Sequence, residues 1–581
     1  MRPQGVLAWP LAIAFVFGCF AFGLPSAPAS AAGSATLSPE VTKWLSSAAS
    51  AGTFKTIITL RDAQTGFARL DTTGVASQRL GALPIAFANL SAARLSDIAS
   101  WPETRSLWHD AENRFVLDES VPLIGANTVR AGTGLRRPYT GAGVSVAVID
   151  TGVDSTHPDL PATKTRTFVV AGDAFDRDGV IVRESPTVDT YGHGTHVSST
   201  IAGTGAASAG RYTGVAPGAT IYAFKTDVGA VLIDSWALRS FDWILTHPEA
   251  NIRVSSNSWG SGDGTDYNAD DPINVTTKIL YERGITVVFA EGNSGGPDTI
   301  NQFATSPWVI GAASGTKDRK LSDFSSRGRI SGNWDRALAQ STNTGLYRPT
   351  VTAPGTDIEA AKSTQAVVMA DGTDPENPFY TTASGTSMAT PHVAGTVALM
   401  LEARPKLTPA AVIAILEGTA VTMTGYEVFE VGRGYIDAYA ATLAAERGKT
   451  RFKPSAGQGA TFTQVSETPF SGIVPTSTWL IRECPDSTGL LQHHRFDVGA
   501  GLGAVYAEVE WDSETQLIYL VLYGPSCEVL GESANLLDIG SVTHRALVVT
   551  NPAPGTYTVA VYGRINVPTP YRGAFSTYTK S

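Results

Sequence analysis

The chain has 581 residues, long enough for several domains, and its 43 Lys and Arg against 53 Asp and Glu give a formal net charge of −10. Charged residues are only 17% of the whole, below the roughly one quarter usual in soluble domains. No basic run stands out, which argues against a nucleic-acid partner.

Residues 1–32 open with Arg2, continue as an apolar run over 6–24, and end in Pro25-Ser26-Ala27-Pro28-Ala29-Ser30-Ala31-Ala32 with Ala-x-Ala cleavage sites. This predicts a signal peptide and a secreted, extracellular protein. The run approaches membrane-spanning length, so an uncleaved anchor at the cell surface is the alternative, though Pro10, Gly18 and Gly23 interrupt it. Residues 52–118 hold a strand at 56–60, an alternating stretch at 86–90 and then Leu95-Ser96-Asp97-Ile98-Ala99, the makings of a compact α+β unit.

The next region alternates strands with helices. Residues 144–149, Val-Ser-Val-Ala-Val-Ile, form a nearly unbroken apolar run ending in Asp150-Thr151-Gly152. That predicts a strand buried on both faces, with Asp150 at its carboxyl end, where sites gather in open α/β sheets. The loop 173–178 has spaced carboxylates but no full calcium loop. Asp189-Thr190-Tyr191-Gly192-His193-Gly194-Thr195-His196 carries a glycine-flanked histidine into a helix-like run. Further runs at 220–225, 236–245 and 253–258, and a strand from 284 into Glu291-Gly292-Asn293, complete a pattern that predicts a parallel sheet covered on both faces. Ser384-Gly385-Thr386-Ser387 then turns into an apolar helix. Pro391 is read as lying in its first turn, where a missing N–H costs nothing, so Ser387 should stand among unpaired backbone donors that favour negative charge.

Thr408-Pro409 marks a capped helix start. After about residue 450 the texture changes to short alternating runs at 504–511, 517–523 and 557–562, separated by turn signals such as Gly524-Pro525. These predict a β-sandwich. Once Cys19 leaves with the signal, Cys484 and Cys527 remain, and a lone pair in an exported chain is expected as a disulfide.

A serine hydroxyl is a poor nucleophile unless a base takes its proton and a carboxylate orients that base. Asp150-Thr151-Gly152, Gly192-His193-Gly194-Thr195-His196 and Gly385-Thr386-Ser387-Met388-Ala389 supply such a set. In that order they resemble the signature blocks of the subtilisin-like serine proteases, over residues 121–441. The resemblance implies Ser387 as nucleophile, Asp150 as the orienting carboxylate, and His193 rather than His157, His196 or His392 as the base. It also implies Asn293, in an Ala-x-Gly-Asn block, as oxyanion donor beside the Ser387 backbone N–H. Ser258-Trp259-Gly260 resembles the family's substrate-pairing edge, with Trp259 either a core or a rim aromatic. Glu291 departs from the family's usual alanine. It is read as a substrate-pocket carboxylate favouring basic side chains or, preferably, as a solvated one.

No cofactor is implied for the chemistry, while the family's habit of binding calcium leaves a structural calcium open and its ligands unknown. Residues 432–438 resemble the close of the catalytic fold. Residues 52–118 resemble the family's inhibitory pro-segment, with a junction between Phe115 and Val121, and the chain end resembles pre-peptidase C-terminal modules, which bind surfaces or aid secretion. The expected chain is therefore a signal peptide (1–32), a pro-segment (52–118), an α/β, subtilisin-like three-layer catalytic domain with a mostly parallel sheet (119–449) and an all-β sandwich (450–581). It would cleave proteins or peptides through an acyl-enzyme and process itself, its own pro-segment serving as intramolecular inhibitor. The competing classes are a protease-like fold that only binds and an adhesive protein driven by its sandwich.

Overall fold

The computed structural model describes residues 35–37, 39–45, 52–79, 84–109, 117–172, 179–228, 231–260, 266–369, 373–374, 377–452, 461–474, 492–512, 517–533, 544–564 and 568–581. The predicted signal peptide, the 173–178 loop and Cys484 lie outside these residues. The chain divides into two compact units, Met1–Arg114 and Phe115–Ser581.

The first unit contains β1 (Thr36–Leu37), α1 (Pro39–Leu45), β2 (Thr53–Leu60), α2 (Ala63–Thr72), β3 (Gln78–Arg79), β4 (Ile85–Ser91), α3 (Ala92–Ala99) and β5 (Thr104–His109). Its sheet has the order β1-β5-β2-β4-β3. Alternation along β2 and β4 sends Ile58, Leu60, Ala86, Ala88 and Leu90 into one core with Leu70, Leu95, Ile98 and Leu107. Asp62 and Ser91 cap α2 and α3 by accepting from Thr65 N–H and Arg94 N–H.

The second unit begins with α4 (Leu117–Leu123), which runs across the expected end of the pro-segment at 118, and α5 (Ala126–Ala131). Then come β6 (Ser145–Asp150), β7 (Thr165–Ala171), β8 (Ile181–Glu184), α6 (His193–Ala202), β9 (Thr220–Lys225), β10 (Asp227–Val228), β11 (Val231–Leu232) and α7 (Asp234–Thr246). Next are β12 (Ile252–Asn257), α8 (Pro272–Glu282), β13 (Thr286–Ala290), β14 (Ile310–Gly315), α9 (Arg336–Thr342), β15 (Val351–Pro354), β16 (Ile358–Ala361) and β17 (Tyr380–Ala383). The helices α10 (Thr386–Ala403), α11 (Pro409–Thr419), α12 (Val428–Val431) and α13 (Ala438–Arg447) close this region.

Its central sheet runs β15-β14-β13-β12-β6-β9-β7-β8, parallel except for β7 with β8. β6 is buried along its whole length, and its two faces explain the three layers. Val146 and Val148 pack with Val197 and Ile201 of α6 and Val393, Val397 and Met400 of α10. Ala147 and Ile149 pack with Phe241 and Ile244 of α7 and Ile273 and Leu280 of α8. Each such Val, Ile, Leu or Phe contributes about 1.5–3 kcal/mol by leaving water.

The C-terminal part is two antiparallel sheets. One, of order β18-β25-β20-β23, uses β18 (Phe462–Val474), β20 (Ala504–Trp511), β23 (His544–Thr550) and β25 (Thr569–Lys580); the other, of order β19-β24-β21-β22, uses β19 (Gln492–Val498), β21 (Leu517–Tyr523), β22 (Val529–Ser533) and β24 (Gly555–Arg564). Val505, Val509, Ile518, Leu520, Leu522, Val559, Val561 and Phe575 form the core between them. Among the described residues no helix is long and apolar enough to cross a membrane, and no group of three or more His, Cys, Asp or Glu is arranged to hold a metal.

Candidate active site

Parallel strands bring their carboxyl ends to one edge of the sheet, and the candidate site lies along that edge. Asp150 is the last residue of β6 and is buried. Its Oδ1 accepts from the Thr151 N–H at 2.7 Å and from His193 Nδ1 at 2.8 Å. A carboxylate can only accept, so the proton sits on Nδ1 and the His193 Nε2 lone pair is left free for chemistry. Asp150 Oδ2 is buried without a hydrogen-bond partner among the described residues. A carboxylate so poorly solvated favours positive charge on its neighbour.

His193 is the first residue of α6. The turn before it depends on Gly192, whose φ of +98° lies in the left-handed region. Asp189 is fully buried and ties this turn to the β6 edge: its Oδ1 accepts from Gly192 N–H and from the Thr151 hydroxyl, both at 2.8 Å, and its Oδ2 accepts from Thr195 N–H at 2.8 Å. The Thr151 hydroxyl in turn accepts from Gly194 N–H at 2.9 Å. Burial works against charging His193, but the Asp150 and Asp189 charges outweigh it, so the imidazole titrates above its ordinary 6.5. Neither Thr151 nor Asp189 is singled out for a role by the sequence, although both stand inside the quoted motifs.

The other histidines nearby are structural. His196 Nε2 donates to the Ile358 and Thr381 carbonyls at 3.0 and 3.2 Å, and burial drives its pKa down to about 3. His392 Nδ1 donates to the Met388 carbonyl at 2.8 Å, its Nε2 meets the Ser120 hydroxyl at 3.0 Å, and burial lowers it to about 4. His157 Nε2 donates to the Phe379 carbonyl at 2.9 Å.

Ser387 is the second residue of α10. The expectation for Pro391 is corrected here: the helix starts at Thr386, so Pro391 lies inside it, beyond the first turn. An interior proline deprives the carbonyl four residues back of its N–H, and that carbonyl is Ser387's. The Ser258 hydroxyl takes the vacant role, donating to the Ser387 carbonyl at 3.0 Å, while the Ser387 hydroxyl donates to the Ser258 carbonyl at 3.1 Å. In this resting arrangement the serine hydroxyl is thus parked on the strand edge. Asn293, three residues past the end of β13, accepts on Oδ1 from the Thr386 N–H and hydroxyl at 2.8 and 3.0 Å. Those donors fix the amide's orientation and turn its Nδ2 away from Thr386.

A cavity of about 160 Å³ is lined by Asp150, Thr151, Tyr191, His193, Asp227, Leu232, Ser258 and Trp259. Trp259 serves both expected roles: it is half-buried, packs edge-on against Phe289 and Phe303 with ring centroids 5.0 and 5.6 Å away, and also faces the cavity. Gly260 lies so close to Asn301 that a methyl group there would stand 2.2 Å from Nδ2. Asn301, unmarked by the sequence, donates from Nδ2 to the Trp259 and Ala290 carbonyls at 3.0 and 2.8 Å.

Glu291 is neither solvated nor part of the cavity lining. It is fully buried, and it fits because β14 has a glycine opposite: a methyl group at Gly311 would stand 2.1 Å from its Oε2. Both carboxyl oxygens lack hydrogen-bond partners among the described residues. Burial pushes its pKa from 4.5 up to about 8, against the pull of the Arg348 and Arg336 charges.

The family description "Subtilase family" matches residues 141–459, more than half of the chain. Serine protease AprX of Bacillus subtilis (strain 168) is 32% identical over 327 residues, covering 52% of this chain and 66% of AprX. Subtilisin E of the same organism is 32% identical over 327 residues, covering 56% of this chain and 71% of its own length. For the subtilisin of Bacillus pumilus the identity is also 32% over 327 residues, covering 56% of this chain and 99% of that protein. With this match laid over the sheet edge that carries Asp150, His193, Asn293 and Ser387, the chain belongs to the subtilase family and is a subtilisin-like serine endopeptidase.

Proposed function

We propose that the chain is a secreted pre-pro-enzyme whose catalytic residues are Asp150, His193, Ser387 and Asn293. The observation that carries this reading is the 2.8 Å bond from His193 Nδ1 to Asp150, which leaves Nε2 basic at the edge where Ser387 begins its helix. A substrate strand lies along Ser258-Trp259-Gly260. Rotation of the Ser387 side chain moves its hydroxyl from the Ser258 carbonyl to His193 Nε2. As Oγ attacks the substrate carbonyl carbon, Nε2 takes the hydroxyl proton, and Asp150 stabilises the imidazolium. The oxyanion is held by Asn293 Nδ2 and the Ser387 N–H. His193 then hands its proton to the leaving amine, and water repeats the steps to release the acyl group.

Residues 1–32 act as the signal peptide and 52–118 as the intramolecular inhibitor, removed by the enzyme itself between Phe115 and Val121. Cys484 and Cys527 form a bridge, as a lone cysteine pair in an exported chain favours. The C-terminal sandwich is a surface-binding module, and the 173–178 loop is the candidate for a structural calcium. The test is maturation in a host without extracellular proteases. Ser387→Ala is expected to accumulate with residues 52–118 attached, while the native chain starts between Phe115 and Val121 on N-terminal sequencing. A Ser387→Ala protein trimmed at the native position would overturn self-processing.

A further inference from the structure

The loop that begins at Asn293 ends at Asn301, so it joins the proposed oxyanion donor to the side chain that pins the Trp259 carbonyl. It lies on the segment 326–329. Ser294 N–H donates to Ser326 Oγ at 3.1 Å, the Gly296 carbonyl accepts from Arg327 N–H at 3.0 Å, and Asp298 N–H donates to the Gly328 carbonyl at 2.9 Å. Arg329 closes the side with an ion pair to Asp298 at 2.9 Å. Gly328 N–H donates to the Phe429 carbonyl at 2.7 Å, which hangs this segment on α12.

Phe429 does not belong to the main core of the catalytic region. It is buried in a separate cluster with Ile330 and with Phe462, Ala504, Tyr506, Ala546 and Tyr578 of the sandwich. Trp334 stacks on Phe429 at 5.7 Å, and the Phe462 ring meets Phe429 edge-on at 6.2 Å. On the rim, Lys580 pairs with Glu427 at 2.5 Å. The sandwich also touches the loop itself, for a methyl group at Gly296 would stand 2.5 Å from the Ala546 carbonyl oxygen on β23. An aromatic cluster sealed from water, a loop backed directly by a strand and a rim ion pair together describe a fixed seat.

We propose that the sandwich is a positioning element of the active site. Seated on Phe429 and Gly296, it holds the 293–301 loop in the one shape that aims Asn293 at the oxyanion. This rests on the assignment of Asn293 as oxyanion donor. The sandwich residues touch no reacting atom and act through the loop. Misplacing such a donor by about 1 Å is enough to cost up to about a hundredfold in rate.

Two full-chain variants test it: Gly296→Ala, which sets a methyl group against β23, and Phe462→Ala, which hollows out the seat under Phe429, with Phe462→Leu as the conservative control. The readouts are kcat and KM on a peptide amide, inhibition by a peptide aldehyde whose adduct carries an oxyanion, and thermal unfolding. Both variants are expected to lose about ten- to a hundredfold in kcat with KM changed less than about twofold. Aldehyde affinity should fall in step, and Phe462→Leu should recover most of the loss. Folded variants with native kcat and aldehyde affinity would overturn the proposal, as would a rise in KM alone. If Gly296→Ala does not fold, Phe462→Ala carries the test. Asn293→Ala separates the two levels: if it lowers kcat and the seat variants do not, only the role of the sandwich fails, whereas an unchanged kcat in Asn293→Ala removes the oxyanion assignment itself.

Discussion

In the proposed mechanism His193 has to be neutral to take a proton and charged to return it, so its titration would set the acid limit of the reaction. With Asp150 and Asp189 raising its pKa above 6.5, the acid limb of kcat/KM on a peptide substrate should lie above that value. Asp150→Asn should move the limb down and slow the reaction by about ten-thousandfold; a limb at or below 6.5 that the substitution leaves in place would speak against the assignment. Glu291 makes a different prediction. Its folded pKa of about 8 against an ordinary 4.5 means that the native state holds a proton the unfolded chain lacks between those values. Its stabilisation is full below about pH 4.5 and is lost as pH rises through about 8. Glu291→Gln, which cannot ionise, should therefore flatten the loss of stability in urea unfolding between about pH 5 and about pH 9; parallel curves for the two proteins would refute it. At this scale Asp150, His193, Asn293 and Ser387 could be put forward from the sequence because each sits in a short local motif, and their catalytic roles remain the proposal. Glu291 was not, because the room for its carboxyl comes from Gly311 on another strand.

Among elements, β6, β9 and β13 could be read from their apolar runs, since a strand covered on both faces has no polar alternation to lose. α10 was legible as a helix but its start was not. Pro391 signals a first turn in isolation, whereas the distant Ser258 hydroxyl serves the carbonyl that an interior proline leaves without its N–H. The consequence is a two-residue coupling. Ser258→Ala should cost about 1 kcal/mol, by leaving a half-buried carbonyl unpaired. Pro391→Ala gives back the N–H that the Ser387 carbonyl lacks, so in its background Ser258→Ala should cost much less. Urea unfolding of the four proteins measures this coupling, and equal losses in both backgrounds would show that the proline does not govern the Ser387 carbonyl.

For the molecule as a whole, alternating strands and helices revealed a parallel three-layer core, and the short runs after residue 450 revealed two further antiparallel sheets. The seat between them was hidden, because Gly296 and Ala546 or Phe429 and Phe462 meet only through the fold and neither pair has a local pattern. Everything functional nevertheless depends on one serine made nucleophilic by its neighbours. The most direct measurement is labelling of the mature full chain with a fluorophosphonate, followed by mapping of the modified peptide. Modification at Ser387 alone, abolished by His193→Ala in a protein that still folds, is the expected result. A folded, peptide-cleaving protein that is labelled elsewhere, or that keeps its Ser387 label without His193, would contradict it.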